Sequence, residues 1–282
     1  MHLYIMRHGE TFWNKKGLIQ GSSDIALTPY GEELAADTRD GFERDGIQFQ
    51  RIYTSPYQRA VKTAKIIAEK QPASVHIEQR VREMCFGKYE GDKISEIRTK
   101  GDQNLIYCFS KPSLYVADET GDNFSDLYGR IETFLKDEIL PMEHDPAVEN
   151  VLVVCHGAVI RAFLTYIKHI PMDEFWTIHQ PTFSVNRIMV KDGQFIVEKE
   201  NILYYNDPEH LVVRENEDPR RYFENVAEDH ILSMAFEGSV CYMLWYGTNP
   251  GIKKKFDRIF EKRGLYYEFG DHWNFTCYYI GE

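Results

Sequence analysis

The sequence has few cysteines, no long apolar run and no excess of positive charge. Its five cysteines among 282 residues are odd in number, scattered and without a Cys-x-x-Cys pair, which argues against a disulfide framework or a zinc site. No apolar segment is long enough to span a membrane. The short apolar stretch before Arg7 lacks the cleavage pattern of a signal peptide. These absences predict a cytoplasmic protein with reduced thiols and no membrane partner.

The charge balance restricts the kinds of partner that the chain can bind. The formal net charge is -11 and the isoelectric point lies near 5.4. An acidic chain repels nucleic acid on average, so no nucleic-acid partner is expected. If the protein binds an anion, it must do so with a local cluster of cations. The hydrophobic content of 43% is enough for a folded core.

Strand and helix patterns alternate over the first two hundred or so residues. Strands are predicted at Leu3–Met6, Arg51–Ser55, Ser74–Ile77 and Val151–Cys155, followed by a hairpin of Val185–Val190 and Gln194–Lys199 around Asp192-Gly193. Helices are predicted from the Thr28 cap, from Pro56, over Phe124–Ile139 and over Ala158–Ile167. The pattern predicts an α/β fold, a three-layer sandwich with a mostly parallel central sheet.

The composition changes at about Leu211. The chain becomes charged there and then unusually aromatic, which predicts a small α+β C-terminal appendage over residues 212–282. Strands are predicted at Ser239–Tyr246, Leu265–Phe269 and Asn274–Ile280, and a helical face over Ile252–Phe260. Dense aromatic residues usually form a core, so we expect the appendage to pack on its own aromatics. The alternative is a lid, a dimer contact or a partner site.

Cations follow three of the predicted strands. Arg7 and His8 follow the first, Arg59 lies just after the second, and His156 follows the strand that ends at Cys155. Because ligands of open parallel sheets bind beyond the carboxyl ends of the strands, we expect these four side chains to converge. Helix N-termini and glycines at this edge favour a phosphate group. The sequence therefore predicts an oxyanion pocket.

A carboxylic acid beside such a pocket could protonate a leaving alkoxide. Glu83 is the candidate, and the neighbouring phosphate anion would raise its pKa. Glu78 and Glu90 lie close in sequence and are competing candidates. Cys155, next to His156, could be a thiol nucleophile, but a small buried strand residue is the preferred interpretation.

Five segments, taken in order, resemble the phosphoglycerate-mutase-like branch of the histidine phosphatase superfamily. They are RHGETFWN, QGSSDIALTPYGEELA, TSPYQRAVKTA, REMCFGKYEG and VVCHGAVIRAF. The resemblance runs from Met1 to about Leu211, which implies a catalytic domain over residues 1–211. The appendage resembles no recognised family.

The resemblance implies a role for each matching residue. His8 matches the phosphorylated nucleophile, and Glu83 matches the proton donor. Arg7, Arg59 and His156 match the phosphate ligands. Further phosphate or substrate contacts are predicted for Asn14, Gly21 and Gly157.

One block departs from the family pattern. After Gly121, Asp122 and Asn123 stand where the family usually has Glu and Ser. We expect this departure to affect the substrate side of the site rather than the core chemistry.

The implied function is that of a histidine acid-type phosphatase, a metal-independent phosphoric monoester hydrolase that uses no cofactor. It would act through a phosphohistidine intermediate on a small phosphorylated metabolite. One alternative is a cofactor-dependent phosphoglycerate mutase, although the segment MCFGKYEGDK favours the phosphatase. Another is a non-catalytic partner-binding protein with a vestigial phosphate pocket. The expected partner is a small-molecule phosphomonoester substrate, and a homo-oligomer is compatible with the sequence.

Overall fold

The structure is a computed structural model that describes residues 1–205 in full. Farther along the chain it describes the backbone of three strands, Leu232–Ala235, Leu265–Asp271 and Asn274–Tyr279. The chain divides into two units, Met1–Asn206 and Asp207–Glu282, and each is described by itself. The predicted strand 239–246, the predicted helical face 252–260 and the predicted boundary at residue 211 lie outside the described residues.

Strands and helices of the first unit alternate in the predicted order. The strands are β1 (His2–Arg7), β2 (Arg51–Thr54), β3 (Val75–Ile77), β4 (Asn150–Cys155), β5 (Val185–Lys191) and β6 (Gln194–Ile202). The helices are α1 (Phe12–Lys15), α2 (Pro29–Arg44), α3 (Gln58–Ala68), α4 (Gln103–Ser110), α5 (Phe124–Phe134), α6 (Leu140–Met142) and α7 (Gly157–Lys168). A π-helical turn, Leu135–Ile139, connects α5 to α6. Short 3₁₀ turns occupy Gln79–Val81, Gly87–Tyr89, Ile94–Glu96, Pro112–Leu114 and Met172–Thr177.

In the described part of the first unit, six strands form one sheet in the order β3-β2-β4-β1-β5-β6. The first four strands of this order are mutually parallel. β5 pairs antiparallel with β1, and β6 antiparallel with β5. The prediction of a mostly parallel sheet with a terminal hairpin is therefore confirmed. Asp192 and Gly193 both have positive φ, as the two central residues of a tight hairpin turn require.

Each face of the sheet is covered by helices, which gives the three layers. Leu3 and Ile5 of β1 belong to one buried cluster with apolar residues of α5 and α7. Tyr4 and Met6 belong to a second cluster with residues of α2 and α3. Alternate residues of a strand point to opposite faces, so β1 contributes to both cores. No helix among the described residues is both long and apolar enough to cross a bilayer.

Helix starts show where local sequence determines structure and where it does not. α2 begins as predicted: Thr28 Oγ1 accepts the N–H of Gly31 at 3.0 Å, and Pro29 is the first helical residue. α3 begins at Gln58 and not at Pro56, because Tyr57 keeps an extended backbone. The N–H of Gln58 is capped by Asp24 Oδ1 at 2.7 Å, from a distant loop. The predicted start of α3 was therefore two residues early.

The described strands of the second unit form an antiparallel sheet in the order β7 (Leu232–Ala235), β9 (Asn274–Tyr279), β8 (Leu265–Asp271). β8 and β9 confirm the two predicted strands around the GDHW turn. β7 was not predicted from the sequence.

Candidate active site

The carboxyl ends of three neighbouring strands bring the predicted site together. β4 lies between β1 and β2 in the sheet. At the end of β1, the N–H of His8 donates to the carbonyl of Cys155 at 2.9 Å. At the end of β2, the N–H of Ser55 donates to the carbonyl of Val154 at 3.0 Å. His8, Ser55 and His156 therefore follow adjacent strands at one edge of the sheet.

His8 is fixed in one tautomer by its hydrogen bonds. The ring is 4% exposed, and Nδ1 lies 2.7 Å from the carbonyl oxygen of Gly9. A carbonyl only accepts, so Nδ1 carries the proton and donates it. Nε2 then has a lone pair, which accepts the Nε–H of Arg59 at 3.2 Å. Burial, followed by the charges of Arg59 and Arg7, holds the pKa of His8 well below its ordinary value of 6.5. His8 is thus a neutral imidazole whose Nε2 lone pair is directed toward the arginine.

His156 lies beside His8, with ring centroids 5.0 Å apart. It is fully buried; its Nδ1 accepts the same Arg59 Nε–H at 3.2 Å, and its Nε2 donates to Ser55 Oγ at 2.6 Å. Burial, then Arg59 and His8, hold its pKa well below 6.5. Ser55 was not among the residues predicted for the site. Its position at the end of β2, on the same edge as the two histidines, is the signal that could have identified it.

Arg59 connects the two histidines to the loop before α2. Its side chain is 1% exposed. Beyond the shared Nε–H, its Nη1 donates to the carbonyl of Ser23 at 2.9 Å and its Nη2 to the carbonyl of Gly21 at 2.7 Å. Burial lowers the pKa of Arg59 to about 10, so the guanidinium remains charged at neutral pH. Arg59 is therefore the central cation of the site.

Gly21 and its neighbours hold Arg59 through backbone carbonyls. A Cβ at Gly21 would lie 2.5 Å from the carbonyl oxygen of Met84, so the loop has room only for glycine. The loop is held in turn by Glu90, whose carboxylate accepts both the N–H and the hydroxyl of Ser22 and of Ser23, at 2.5 to 3.0 Å. Glu90 was predicted only as a competing candidate for the acid, and nothing local in the sequence indicates its supporting role.

Glu83 is the candidate acid that lies at the site. It is 6% exposed, its Oε1 accepts the N–H of Met84 at 2.9 Å, and its Oε2 accepts the N–H of Ala158 at 3.2 Å. Ala158 is in the first turn of α7, directly after His156 and Gly157. Burial raises the pKa of Glu83, against the effect of its hydrogen bonds and of Arg59 and Arg7. The raised pKa of Glu83 was predicted to come from bound phosphate, but burial raises it without a ligand.

The competing groups have other partners. Glu78 forms an ion pair with Arg80 at 2.7 Å, and Glu90 holds the Ser22–Ser23 backbone. Cys155 is fully buried in β4, and burial raises the pKa of its thiol well above 9.0. A thiol that is protonated and inaccessible is a poor nucleophile, as the sequence analysis preferred.

The remaining predicted residues lie around this centre. Arg7 donates from Nη1 to the carbonyl of Gln180 at 2.7 Å. Gly157 is the first residue of α7, and a Cβ there would lie 3.6 Å from Arg7 Nε and 3.2 Å from Arg161 Nη1. Asn14 uses its Oδ1 locally, accepting the N–H of Thr11 at 3.1 Å in a capping box. Arg7 and Gly157 thus border the histidine pair, whereas the contact predicted for Asn14 remains a prediction.

Replacing Ser55 with alanine is expected to lower kcat/KM at this site by roughly 10-fold, as loss of a hydrogen-bond partner that orients a functional side chain typically does. The substitution leaves the buried Nε2–H of His156 without an acceptor. The matched control is Ser74→Ala, because Ser74 Oγ lies 3.1 Å from the ring of the exposed His76. Steady-state kinetics of both variants tests this, and equal activity of the two would contradict a role for Ser55.

The chain resembles proteins of known fold and sequence over most of its first unit. A family model described as "Histidine phosphatase superfamily (branch 1)" matches residues 3–203. The structure of Bacillus stearothermophilus YhfR is 31% identical, with a TM-score of 0.65, and the match covers 73% of this chain and 99% of that one. A phosphoserine phosphatase mutant from Entamoeba histolytica, in complex with phosphoserine, is 26% identical, with a TM-score of 0.62 over 71% of this chain and 96% of that one.

A mutase is among the similar sequences as well. The 2,3-bisphosphoglycerate-dependent phosphoglycerate mutase of Streptococcus gordonii is 30% identical over 206 residues, which are 64% of this chain and 90% of the mutase. The proteins that this chain resembles therefore include both a phosphatase and a mutase. Since the family model extends over well more than half of the sequence, the chain belongs to the histidine phosphatase superfamily, branch 1.

Proposed function

We propose that the protein is a metal-independent phosphomonoesterase that acts on a small phosphorylated metabolite through a phosphohistidine. The observation that carries the proposal is the tautomer of His8. Its Nδ1–H is bonded to the Gly9 carbonyl, and its Nε2 lone pair is directed to Arg59 beside His156. A neutral, oriented imidazole surrounded by cations is what attack on a phosphoryl group requires.

In the first step, His8 Nε2 attacks phosphorus and the bond from phosphorus to the ester oxygen breaks. Glu83 donates its proton to the leaving alkoxide. Because burial raises the pKa of Glu83, the protonated form extends to higher pH than in an exposed carboxylic acid. General acid catalysis of this kind contributes about 10²–10⁴ in rate.

In the second step, the Glu83 carboxylate accepts a proton from water while the water oxygen attacks phosphorus. The bond from nitrogen to phosphorus breaks, His8 returns to its neutral form and inorganic phosphate leaves. The two steps restore both residues to their starting protonation states. Splitting one difficult transfer into two easier ones is the advantage of covalent catalysis.

Charge on the phosphoryl oxygens would be stabilised by Arg7, Arg59 and the N-terminus of α7. The Nε–H of Arg59, now shared between two ring nitrogens, can turn to a phosphoryl oxygen and release the lone pair of His8. Guanidinium groups match phosphate oxygens with two parallel donors. These fixed positive charges supply the electrostatic stabilisation that other phosphatases obtain from metal ions.

The test is hydrolysis of p-nitrophenyl phosphate and a panel of alkyl phosphates by the full chain in excess EDTA. The panel should include phosphoserine and 3-phosphoglycerate, because relatives include a phosphoserine phosphatase and a phosphoglycerate mutase. We expect release of inorganic phosphate to persist in EDTA. A mutase assay with 2,3-bisphosphoglycerate is run in parallel.

The outcomes separate the alternatives. Mutase activity that exceeds phosphatase activity would replace the proposed function by the mutase. A folded protein that releases no phosphate and transfers none would favour the partner-binding alternative. Activity that EDTA abolishes and added metal restores would overturn the metal-independent mechanism.

A further inference from the structure

The segment that carries Glu83 is held from both sides by a pair of charged residues. Asp122 Oδ2 accepts the N–H of Cys85 at 3.1 Å, two residues after Glu83. Arg130 of α5 donates from Nη1 to the carbonyl of Arg82 at 2.8 Å, which belongs to the peptide bond immediately before Glu83. Glu83 therefore lies between two anchored peptide groups.

The two anchoring residues are also bonded to each other. Arg130 Nη2 donates to Asp122 Oδ2 at 3.1 Å. Their side chains are only 15% and 14% exposed, so the pair is poorly screened by water. Arg82 adds a second cation, with Nη2 3.1 Å from Asp122 Oδ1. The carboxylate of Asp122 thus balances two guanidinium groups next to the acid.

We propose that Asp122 and Arg130 form a clamp that positions Glu83 for donation to the leaving group, with the Asp122 carboxylate balancing the guanidinium charges beside the acid. The clamp rests on the proposed function. Neither residue touches the reacting atoms, so both are positioning residues. The position that departs from the family pattern, Asp122, would then act on the proton donor as well as on the substrate side.

Charge as well as geometry argues for this role. The positive charges of three arginines, Arg59, Arg7 and Arg130, favour the ionised form of Glu83. If Asp122 loses its charge, Arg130 and Arg82 remain unbalanced beside the acid and favour its ionised form. The same change loosens the peptide groups on both sides of Glu83. Both effects lower the amount of correctly placed, protonated acid.

The leaving group distinguishes this role from general structural support. p-Nitrophenolate leaves readily without a proton, whereas the alkoxide of an alkyl phosphate must be protonated. The contribution of the general acid is therefore measured by a ratio of two kcat/KM values. The numerator is kcat/KM for phosphoserine, or for the best alkyl ester of the panel, and the denominator is kcat/KM for p-nitrophenyl phosphate. Because kcat/KM depends only on steps through phosphorylation of His8, hydrolysis of the phosphoenzyme does not disturb the comparison.

Asp122→Asn is expected to lower kcat/KM for the alkyl ester by about 10- to 100-fold, a part of what general acid catalysis contributes. For p-nitrophenyl phosphate we expect a change of less than about threefold. Asp122→Glu, which keeps the charge, should restore most of the ratio. Glu83→Gln should also lower kcat/KM for the alkyl ester more than kcat/KM for p-nitrophenyl phosphate, and its loss on the alkyl ester should be larger than that of Asp122→Asn. Arg130→Lys provides a second route, since one ammonium group cannot span the Arg82 carbonyl and Asp122 together.

The matched control is Asp40→Asn. Asp40 also bonds two cations, Arg39 at 2.8 Å and Lys70 at 3.2 Å, but on the surface of the first unit. In Asp40→Asn, the ratio of kcat/KM for the alkyl ester to kcat/KM for p-nitrophenyl phosphate should equal that of wild type. Equal losses on both esters in Asp122→Asn and Arg130→Lys, or no loss on either, would overturn the clamp and leave the phosphatase standing. A wild type that hydrolyses neither ester would overturn the proposed function and the clamp with it.

Discussion

Replacing His8 with alanine is expected to lower phosphatase activity by about 10⁴-fold or more, as removal of a covalent nucleophile does in other enzymes. The imidazole is the group whose lone pair faces Arg59, and alanine leaves no other nucleophile in its place. The measurement is kcat/KM for the best substrate of the panel.

The same variant tests the intermediate directly. Wild type that is mixed with labelled substrate and quenched in base should retain label as a phosphoenzyme, and acid should release it, because the bond from nitrogen to phosphorus is labile in acid. His8→Ala should retain none. His76→Ala is the control, since His76 is exposed on β3 and is far from His8 in the sequence. Label that persists in His8→Ala would place the intermediate on another residue.

Local sequence patterns predicted the frame of this site because the frame is built from regular elements. Continuous apolar runs identified β1 and β4 as buried strands, and parallel pairing brings their carboxyl ends to one edge. Arg7 is the last residue of β1, and His8 and His156 directly follow β1 and β4, so their convergence followed from the topology. Ser55, which directly follows β2, could have been predicted in the same way as the residues that follow the other two strands.

The supporting contacts could not be predicted in this way. Ser55 and His156 are 101 residues apart in sequence, and Glu90 lies 68 residues from Ser22. Such bonds join irregular loops. The geometry of these loops depends on the packing of the whole unit rather than on the periodic spacing of hydrophobic residues. The predicted start of α3 was wrong for the same reason, because the cap of this helix comes from Asp24 in another loop. Sequence patterns thus predicted which residues meet, but not what holds them in position.

Replacing Arg59 with lysine is expected to lower kcat/KM by about 10²–10³-fold, although the formal charge is kept. One guanidinium now bonds four acceptors: two histidine nitrogens and the carbonyls of Gly21 and Ser23. An ammonium group has three hydrogens on a single atom and cannot reach all four. Burial lowers the pKa of Arg59 to about 10, and it would lower that of a lysine further, toward neutrality.

Arg59→Lys should also unfold more easily than wild type. The buried carbonyl of Gly21 and the half-buried carbonyl of Ser23 would lose donors. An unsatisfied buried polar group costs about 1–3 kcal/mol. Arg39→Lys is the control, because Arg39 bonds the exposed carboxylates of Asp40 and Glu69 on the surface. Thermal unfolding and kcat/KM are measured on both variants. If Arg59→Lys kept activity within threefold of wild type, charge alone would suffice at this position, and the planar donor set of Arg59 would not be what orients the two histidines.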